Sequence, residues 1–343
     1  MHRPSWFSDE HVMVSTAPTC GLSKKGRLRR KIDPTTGERV RVVDPETGEL
    51  VDQIDDQLLE DMNILAAAKG NPDEIDEGRS ETLRFVPNDL VELRCAVPIY
   101  YDKRLLRHFW AELEKPFFKG FQAKSLKVLQ KEGLITIRGG HGSPSQEERV
   151  GDVPYIKVSD LRAGLVNINP TNRVPRAVAQ RFWRGESSGL RAFDLLCPER
   201  TSKNIGDFCV LLPGQEQVLC TKEIIVLRPG PKADFDPFYL LWAMTLKVVR
   251  DQWNRVIFMQ TNREDVGNRY LEIEIPVPPS REEADRVSKP FRDYYITLAA
   301  AKEKIQEYLQ TAGSSHHFFI GAAADVTDED EEFTEEDAVP MER

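Results

Sequence analysis

The sequence lacks any stretch of eighteen apolar residues, and its first residues lack the apolar segment of a signal peptide. We therefore expect a cytoplasmic protein without a membrane partner. The five cysteines are scattered and form no Cys-x-x-Cys pair, which argues against a disulfide framework and a structural zinc site. No His-Glu-x-x-His motif is present either. The sequence predicts no metal site and thiols that are buried or incidental.

The motifs of several enzyme classes are also missing. No glycine-rich phosphate loop ends in Gly-Lys, and no Gly-x-Gly-x-x-Gly opens a helix after a strand. The Asn/Asp-Pro-Pro-aromatic loop of amino-methyltransferases is absent, because Pro278-Pro279 is followed by Ser280. We therefore predict that the chain has no catalytic residue and binds no cofactor of its own.

The formal net charge of −9 is unevenly distributed along the 343 residues. Acidic residues are in excess in residues 1–115, and residues 313–343 carry ten of them against one basic residue. Residues 116–312 instead carry five more basic than acidic residues. This asymmetry indicates an anionic partner for the middle of the chain and a solvated C-terminal end.

Apolar patterning and turns divide the chain into five parts of a mixed α+β protein. A polar N-terminal arm (1–80) precedes a short α/β connecting region (81–119), so a small α/β part comes first. Short strand-like runs such as 126–129, 134–138 and 154–158, separated by Gly, Pro and Asn turns, predict a β-rich domain over 120–279. A long helix is expected over 280–312, and a disordered acidic tail over 313–343.

A cap and an apolar stripe predict the long helix. Ser280 precedes it and Glu283 stands three residues later, a capping-box spacing. Apolar residues then recur mostly at steps of three and four, as in a coiled coil, at Val287, Phe291, Tyr294, Leu298, Ile305 and Leu309. The stripe could pair with another helix, or it could pack on the chain's own domain.

A cluster of arginines in the β-rich part is interleaved with Phe182 and Trp183. Such cations could neutralise phosphates, and one or two could read guanine edges with paired hydrogen bonds. The candidates are Arg173, Arg176, Arg181 and Arg184, to which we add Lys203. A solvated basic face without a ligand would have the same composition.

A second candidate for DNA binding is a polar segment that follows position 255. Asn and Gln side chains bond adenine with paired hydrogen bonds, so this segment could read bases. Its candidates are Gln260, Asn262, Arg263 and Asn268. An ordinary surface loop would look the same.

The order of several segments between residues 126 and 309 resembles the DNA specificity subunits of type I restriction–modification systems. These segments are GGHGSPS (139–145), GDVPYIKVSDL (151–161), IGD (205–207), IIVLRP (224–229), DPFY (236–239) and LEIEIPVPP (271–279). The likeness rests on their order and spacing, since no single segment is specific. It implies one target recognition domain (120–279) followed by a coiled-coil-like spacer helix, in a DNA-reading chain that is not catalytic.

The resemblance also implies partners in a phage-defence system. Such a subunit directs a separate adenine-N6 DNA methyltransferase, and in full systems a restriction endonuclease, to double-stranded DNA. AdoMet would then be bound by the methylase and not by this chain.

The family usually has two recognition domains and two spacer helices, whereas this chain has one of each. A homodimer through the helix would restore the pair with two-fold symmetry. Alternatively, the chain is the product of a split or broken gene. Residues 17–27, with Asp55-Asp56 beyond them, are similar to the end of type I modification subunits. This similarity suggests the C-terminal part of a methylase–specificity fusion.

Two other classes of function stay open. A non-catalytic assembly subunit, or a remnant of the fusion, would keep the scaffold and would not read DNA. An enzyme in its own right would transfer a methyl group from AdoMet in isolation.

Overall fold

The computed structural model describes residues 10–23, 25–70, 74–75, 82–92, 95, 97–260, 263–314 and 316, with the backbone alone at 259, 260, 263 and 264. The chain forms two compact units, Met1–Arg104 and Leu105–Arg343. Helices and strands are mixed along the sequence, so the predicted α+β class is confirmed.

The first unit is built from short antiparallel strand pairs. Its elements are β1 (His11–Ser15), β2 (Arg41–Val43), β3 (Leu50–Asp52), α1 (Ile64–Ala68) and β4 (Leu83–Pro87). β1 pairs with β4, and β2 pairs with β3. The turns at Asp33 and Asp44 share one geometry, because each carboxylate accepts backbone N–H bonds from the residues two and three positions later.

The second unit contains the remaining strands and most of the helices. The strands are β5 (Gln122–Ser125), β6 (Ile135–Gly139), β7 (Val153–Ile156), β8 (Leu161–Arg162), β9 (Leu165–Val166), β10 (Arg173–Val174), β11 (Leu195–Pro198), β12 (Cys209–Val210), β13 (Leu219–Cys220), β14 (Ile224–Pro229), β15 (Phe258–Gln260), β16 (Arg263–Asp265) and β17 (Glu274–Val277). The α-helices are α2 (Arg104–Leu113), α3 (Leu126–Glu132), α4 (Arg176–Trp183), α5 (Pro237–Thr245), α6 (Lys247–Arg250), α7 (Trp253–Val256) and α8 (Arg281–Thr311). Short 3₁₀ helices occur in both units, at Asn88–Leu90, Pro98–Tyr101, Pro116–Phe118, Gln146–Glu148, Val158–Asp160 and Gly267–Glu272.

Two sheets form the centre of the second unit. The larger has the strand order β6-β14-β11-β12-β9-β8 and is antiparallel except between β12 and β9. The smaller has the order β10-β7-β13, with β7 and β13 parallel. Two further antiparallel pairs are β15 with β16 and β17 with β5.

The alternation of side chains along β11 and β14 explains how the layers stack. Leu195 and Leu227 point into the core that α5 and α8 share, whereas Leu196 and Val226 point into a second core with residues of the smaller sheet. A third core joins the smaller sheet to α4 through residues such as Trp183. The layers are therefore α5 with α8, the larger sheet, the smaller sheet and α4.

The run at 126–129, predicted as a strand, is instead the first turn of α3. The Ser125 hydroxyl caps this helix by accepting a hydrogen bond from Val128 N, and Gly133 ends it in the left-handed conformation at φ 78°. These local signals at the two ends of the run outweigh its apolar composition. Helix α5 starts at 236–237, where the Asp236 carboxylate accepts a hydrogen bond from Tyr239 N and Pro237 is in the first turn.

Helix α8 has the predicted cap and nearly the predicted length. The Ser280 hydroxyl accepts from Glu283 N, and the 31 residues of the helix correspond to about 46 Å. Val287, Phe291 and Leu298 pack into the core of the second unit. These three side chains therefore pack on the chain's own domain, as in the second interpretation.

The other three residues of the stripe are more accessible. Tyr294 and Ile305 are exposed, and Leu309 is half-buried. Pairing with another helix stays a prediction for these residues. No helix among the described residues combines the length and the apolar character needed to cross a membrane.

Candidate nucleic-acid interface

One end of the larger sheet brings the ends of three strands together. Gly139, which ends β6, pairs with Ile225, and Pro198, which ends β11, pairs with Ile224 at the start of β14. The segments that leave these strands therefore begin side by side. We term residues 139–149, 199–204 and 220–223 the loop edge.

The glycine-rich turn of the loop edge is bonded to the turn that joins β13 and β14. Gly140 N donates to Ile224 O at 2.7 Å, and His141 N donates to Cys220 O at 2.9 Å. A Cβ on Gly140 would lie 1.9 Å from Thr221 O, so a larger residue does not fit without a backbone shift. Gly140 thus serves the close packing of two backbones.

The His141 ring extends this cross-link to the segment that follows α4. Its Nδ1 accepts a hydrogen bond from Cys220 N, and its Nε2 donates to Ser188 O. Burial lowers the pKa of His141 to about 4, so the ring is neutral near pH 7. His141 is therefore a structural residue in this fold.

Two arginines fix the same segment from the face of the larger sheet. Arg138 donates to Ser188 O at 3.3 Å, and Arg228 donates to Gly189 O and to the Asp194 carboxylate. Burial, assisted by the charge of Arg228, lowers the pKa of Arg138. Sequence reasoning missed these positioning residues, although charged residues at the ends of apolar strands were a usable signal.

The arginine cluster lies on and beside α4. This helix buries Val178, Ala179 and Trp183, and it leaves the predicted DNA-binding residues Arg176, Arg181 and Arg184 exposed. Their side chains therefore project away from the smaller sheet.

The individual arginines differ in their contacts. The Arg176 guanidinium lies 6.0 Å from the Trp183 ring centre, and Arg181 forms an ion pair with Glu148. Arg184 caps the end of α4 in the left-handed conformation, at φ 60°. Arg173, in β10, is half-buried and its Nε donates to Pro170 O at 2.6 Å. Arg176 and Arg184 are thus exposed and, unlike Arg181, form no ion pair with a carboxylate among the described residues.

The structure brings the second predicted cluster next to the segment that carries Lys203. Lys203 is exposed. The neighbouring Arg200 forms a β-bridge and an ion pair with Asp265, the last residue of the β15–β16 hairpin. Val266 N donates to Glu199 O, which fixes the hairpin to the loop edge.

The four residues of the second cluster are described to different extents. Gln260 and Arg263 pair across the hairpin. Their side chains, and the whole of Asn262, lie outside the described residues. Asn268 is exposed on the 3₁₀ helix Gly267–Glu272. The base-reading role predicted for these residues stays a prediction.

Two further cations near the loop edge were missed by the sequence reasoning. The guanidinium carbon of Arg149 lies 5.4 Å from the centre of the Tyr155 ring, and Lys157 Nζ lies 5.8 Å from it. Lys157 is within the 151–161 motif and Arg149 just precedes it. The signal in the sequence was an aromatic residue, Tyr155, with Arg149 before it and Lys157 after it.

The thiols and metal ligands offer no alternative site in the part of the chain that the structure describes. Four of the five cysteines are buried, and burial raises the pKa of Cys209 to about 11 and that of Cys220 to about 12. No group of three or more His, Cys, Asp or Glu residues could hold a metal ion in the described ranges.

Comparison with known proteins returned similar solved structures. No family model and no curated protein matches the chain. The type I restriction–modification S subunit from M. genitalium is 14% identical, covers 55% of this chain and 43% of that chain, and has a TM-score of 0.36. The HsdS subunit from Thermoanaerobacter tengcongensis is 19% identical, covers 60% of this chain and 46% of that chain, and has a TM-score of 0.34. A chain from a structure on the assembly and conformational transition of the type I R-M system is 18% identical. The match covers 62% of this chain and 49% of that chain, with a TM-score of 0.35.

The chain spans less than half the length of each of these three proteins. Two of them are S subunits by name, and the third comes from a type I restriction–modification complex. The chain is thus similar to S subunits of type I restriction–modification systems, the family that its sequence resembles.

Proposed function

We propose that the chain is a sequence-specific DNA-binding subunit that directs a partner adenine-N6 methyltransferase to its target. In full systems a restriction endonuclease would join the complex. The observation that carries the proposal is the loop edge. It connects the arginines of α4, through Glu148 and Arg181, with Lys203 and the β15–β16 hairpin, through Arg200 and Asp265.

The construction of the loop edge suits recognition of a duplex. Lysines and arginines supply the sequence-independent attraction to phosphates, and polar side chains supply contacts to base edges. The loops are held by a sheet that is buried on both faces, so their positions are set before DNA arrives.

The proposal assigns chemistry to the partner and not to this chain. The sequence contains no methyltransferase motif, so AdoMet and the extruded adenine would be bound by the methylase. This chain would recognise the target sequence and orient the duplex.

The single recognition domain needs a second copy if the target has two parts. Tyr294, Ile305 and Leu309 leave apolar surface on α8 for a partner helix. An open groove of about 450 Å³ lies beside the same half of the helix and is lined in part by Phe193 and Ile296. A homodimer through α8 would present two readers related by two-fold symmetry and would select a palindromic, interrupted site.

A non-catalytic assembly subunit is the second candidate, favoured by the surface of the first unit. Exposed large apolar side chains are concentrated there, including Leu22, Leu28, Ile32, Val43, Leu50, Met62 and Leu65. Surface of this kind is typical of contacts with another protein. An assembly subunit would use this surface and would not require the cations of α4.

Methyl transfer with a reconstituted complex tests the proposal. The chain is mixed with tritiated AdoMet and duplex DNA, with and without a type I adenine methyltransferase that lacks its own specificity subunit. We expect DNA methylation only when both proteins are present, because each supplies a part that the other lacks. Methylation by the isolated chain would identify an enzyme, and no methylation by the pair would favour an assembly role.

A further inference from the structure

Arg149, which precedes β7, is half-buried and has no acidic partner among the described residues. Most arginines of comparable burial in the second unit pair with a carboxylate, as Arg228 does with Asp194 and Arg255 with Glu272. Arg149 has no ion pair among the described residues. Its one hydrogen bond there runs from Nη2 to Pro144 O at 3.4 Å.

The Nε atom of Arg149 is buried and has no hydrogen-bond partner among the described residues. A buried cationic donor without an acceptor is costly, so such a group usually has a partner that completes it. The adjacent carboxylate of Glu148 is already used, because it pairs with Arg181 and accepts from Ser145 N. Because the Nε atom itself is buried, an acceptor from outside the chain would meet the outer nitrogens of the Arg149 guanidinium.

A second cation lies against the same aromatic ring. Tyr155 is 3% exposed and belongs to the core beneath α4, so its ring is a fixed support. Arg149 and Lys157 lie 5.4 and 5.8 Å from its centre, and the hydrogen bond of Lys157 Nζ goes to the neutral amide of Asn172. The ring thereby holds two half-buried cations, neither of which forms an ion pair with a carboxylate among the described residues.

We infer that Arg149 and Lys157 form a phosphate-binding site for the backbone of duplex DNA. The inference rests on the proposed DNA-binding function and adds two residues that the predicted cluster did not contain. Arg149 belongs to the loop edge and follows Glu148, which pairs with Arg181 of α4, so the site continues from the arginines of α4 through the loop edge to Lys157. Since phosphates carry no sequence information, the site would position the duplex without reading it.

Salt-dependent binding by charge-neutral variants tests this site. Arg149→Gln and Lys157→Gln are prepared separately and together in the full chain. Lys127→Gln with Lys131→Gln is the matched control, because these exposed lysines lie on α3, at the opposite end of β6. Binding of a labelled duplex is measured by fluorescence anisotropy from 0.05 to 0.3 M KCl.

Each single variant is expected to reduce the slope of log Kd against log salt by about 1 and to weaken binding by about tenfold at 0.1 M salt. The loss should be equal for duplexes of different sequence, and Arg149→Lys should restore most of the affinity. Lys157→Gln remains informative if Arg149→Gln does not fold. If the double variant and the control both bind the duplex as tightly as the wild-type chain does, the site is overturned.

Two further outcomes separate the alternatives. If the wild-type chain binds no duplex at all, the proposed function fails together with the site. Inorganic phosphate, titrated at constant ionic strength, distinguishes the duplex from the free anion. Binding of millimolar phosphate that is lost in the double variant, while duplex binding stays unchanged, would assign the site to the free anion and overturn the inference.

Discussion

Replacement of Arg176 and Arg184 by glutamate is expected to weaken duplex binding by about 100-fold at 0.1 M salt. Both side chains are exposed on the outer side of α4. Each lost phosphate contact lowers affinity by about tenfold under these conditions, and the new carboxylates add repulsion. The loss should shrink as salt is raised, because screening weakens both effects. Anisotropy titrations of a labelled duplex at several KCl concentrations measure this dependence.

In the matched control, glutamate replaces Lys127 and Lys131 on α3. This changes the net charge by the same amount at the far end of β6. The control should lose little affinity, because the effect depends on position and not on total charge. Equal affinity of the two variants would remove α4 from the interface. It would also favour the assembly role, in which these arginines form a solvated basic face.

Replacement of Gly140 by alanine is expected to destabilise the second unit by about 3 kcal/mol, which is the upper range for an overpacked site. The new Cβ would lie 1.9 Å from Thr221 O, a backbone atom that cannot rotate away. The turn and the β13–β14 connection would have to separate. Differential scanning calorimetry should show a loss of roughly 10 °C in Tm for a unit of this size.

Gly139→Ala is the control for this experiment. A Cβ at Gly139 would meet no heavy atom within 4 Å, although the two glycines are adjacent. Its Tm should stay within about 3 °C of the wild-type value. A Gly140→Ala protein as stable as Gly139→Ala would contradict the tight packing of the glycine-rich turn on Thr221.

Local signals in the sequence predicted several elements, whereas contacts between distant segments were not predictable. Ser280 and Glu283 marked the start of α8, because caps act within one turn of helix. The Ser125 cap and Gly133 were equally local, but the apolar run between them led to a strand prediction for the start of α3.

The candidate interface could be predicted only in part for the same reason. Composition marked Arg176, Arg181 and Arg184 as candidate cations, and the helix exposes them because its apolar residues Val178, Ala179 and Trp183 face the core. It could not show that the Lys203 segment meets the β15–β16 hairpin, because that contact depends on the order of strands in the larger sheet. Arg149 stood outside the predicted cluster, and its unsatisfied Nε becomes visible only in three dimensions.

Selection of duplexes from a random-sequence library tests sequence-specific recognition of DNA by this chain. The purified chain is incubated with the library at physiological salt, and bound duplexes are amplified and sequenced over several rounds. We expect enrichment of a defined sequence, which the wild-type chain binds about 1,000-fold or more tightly than a scrambled duplex. A library that stays random, or equal affinity for selected and scrambled duplexes, would contradict sequence-specific recognition.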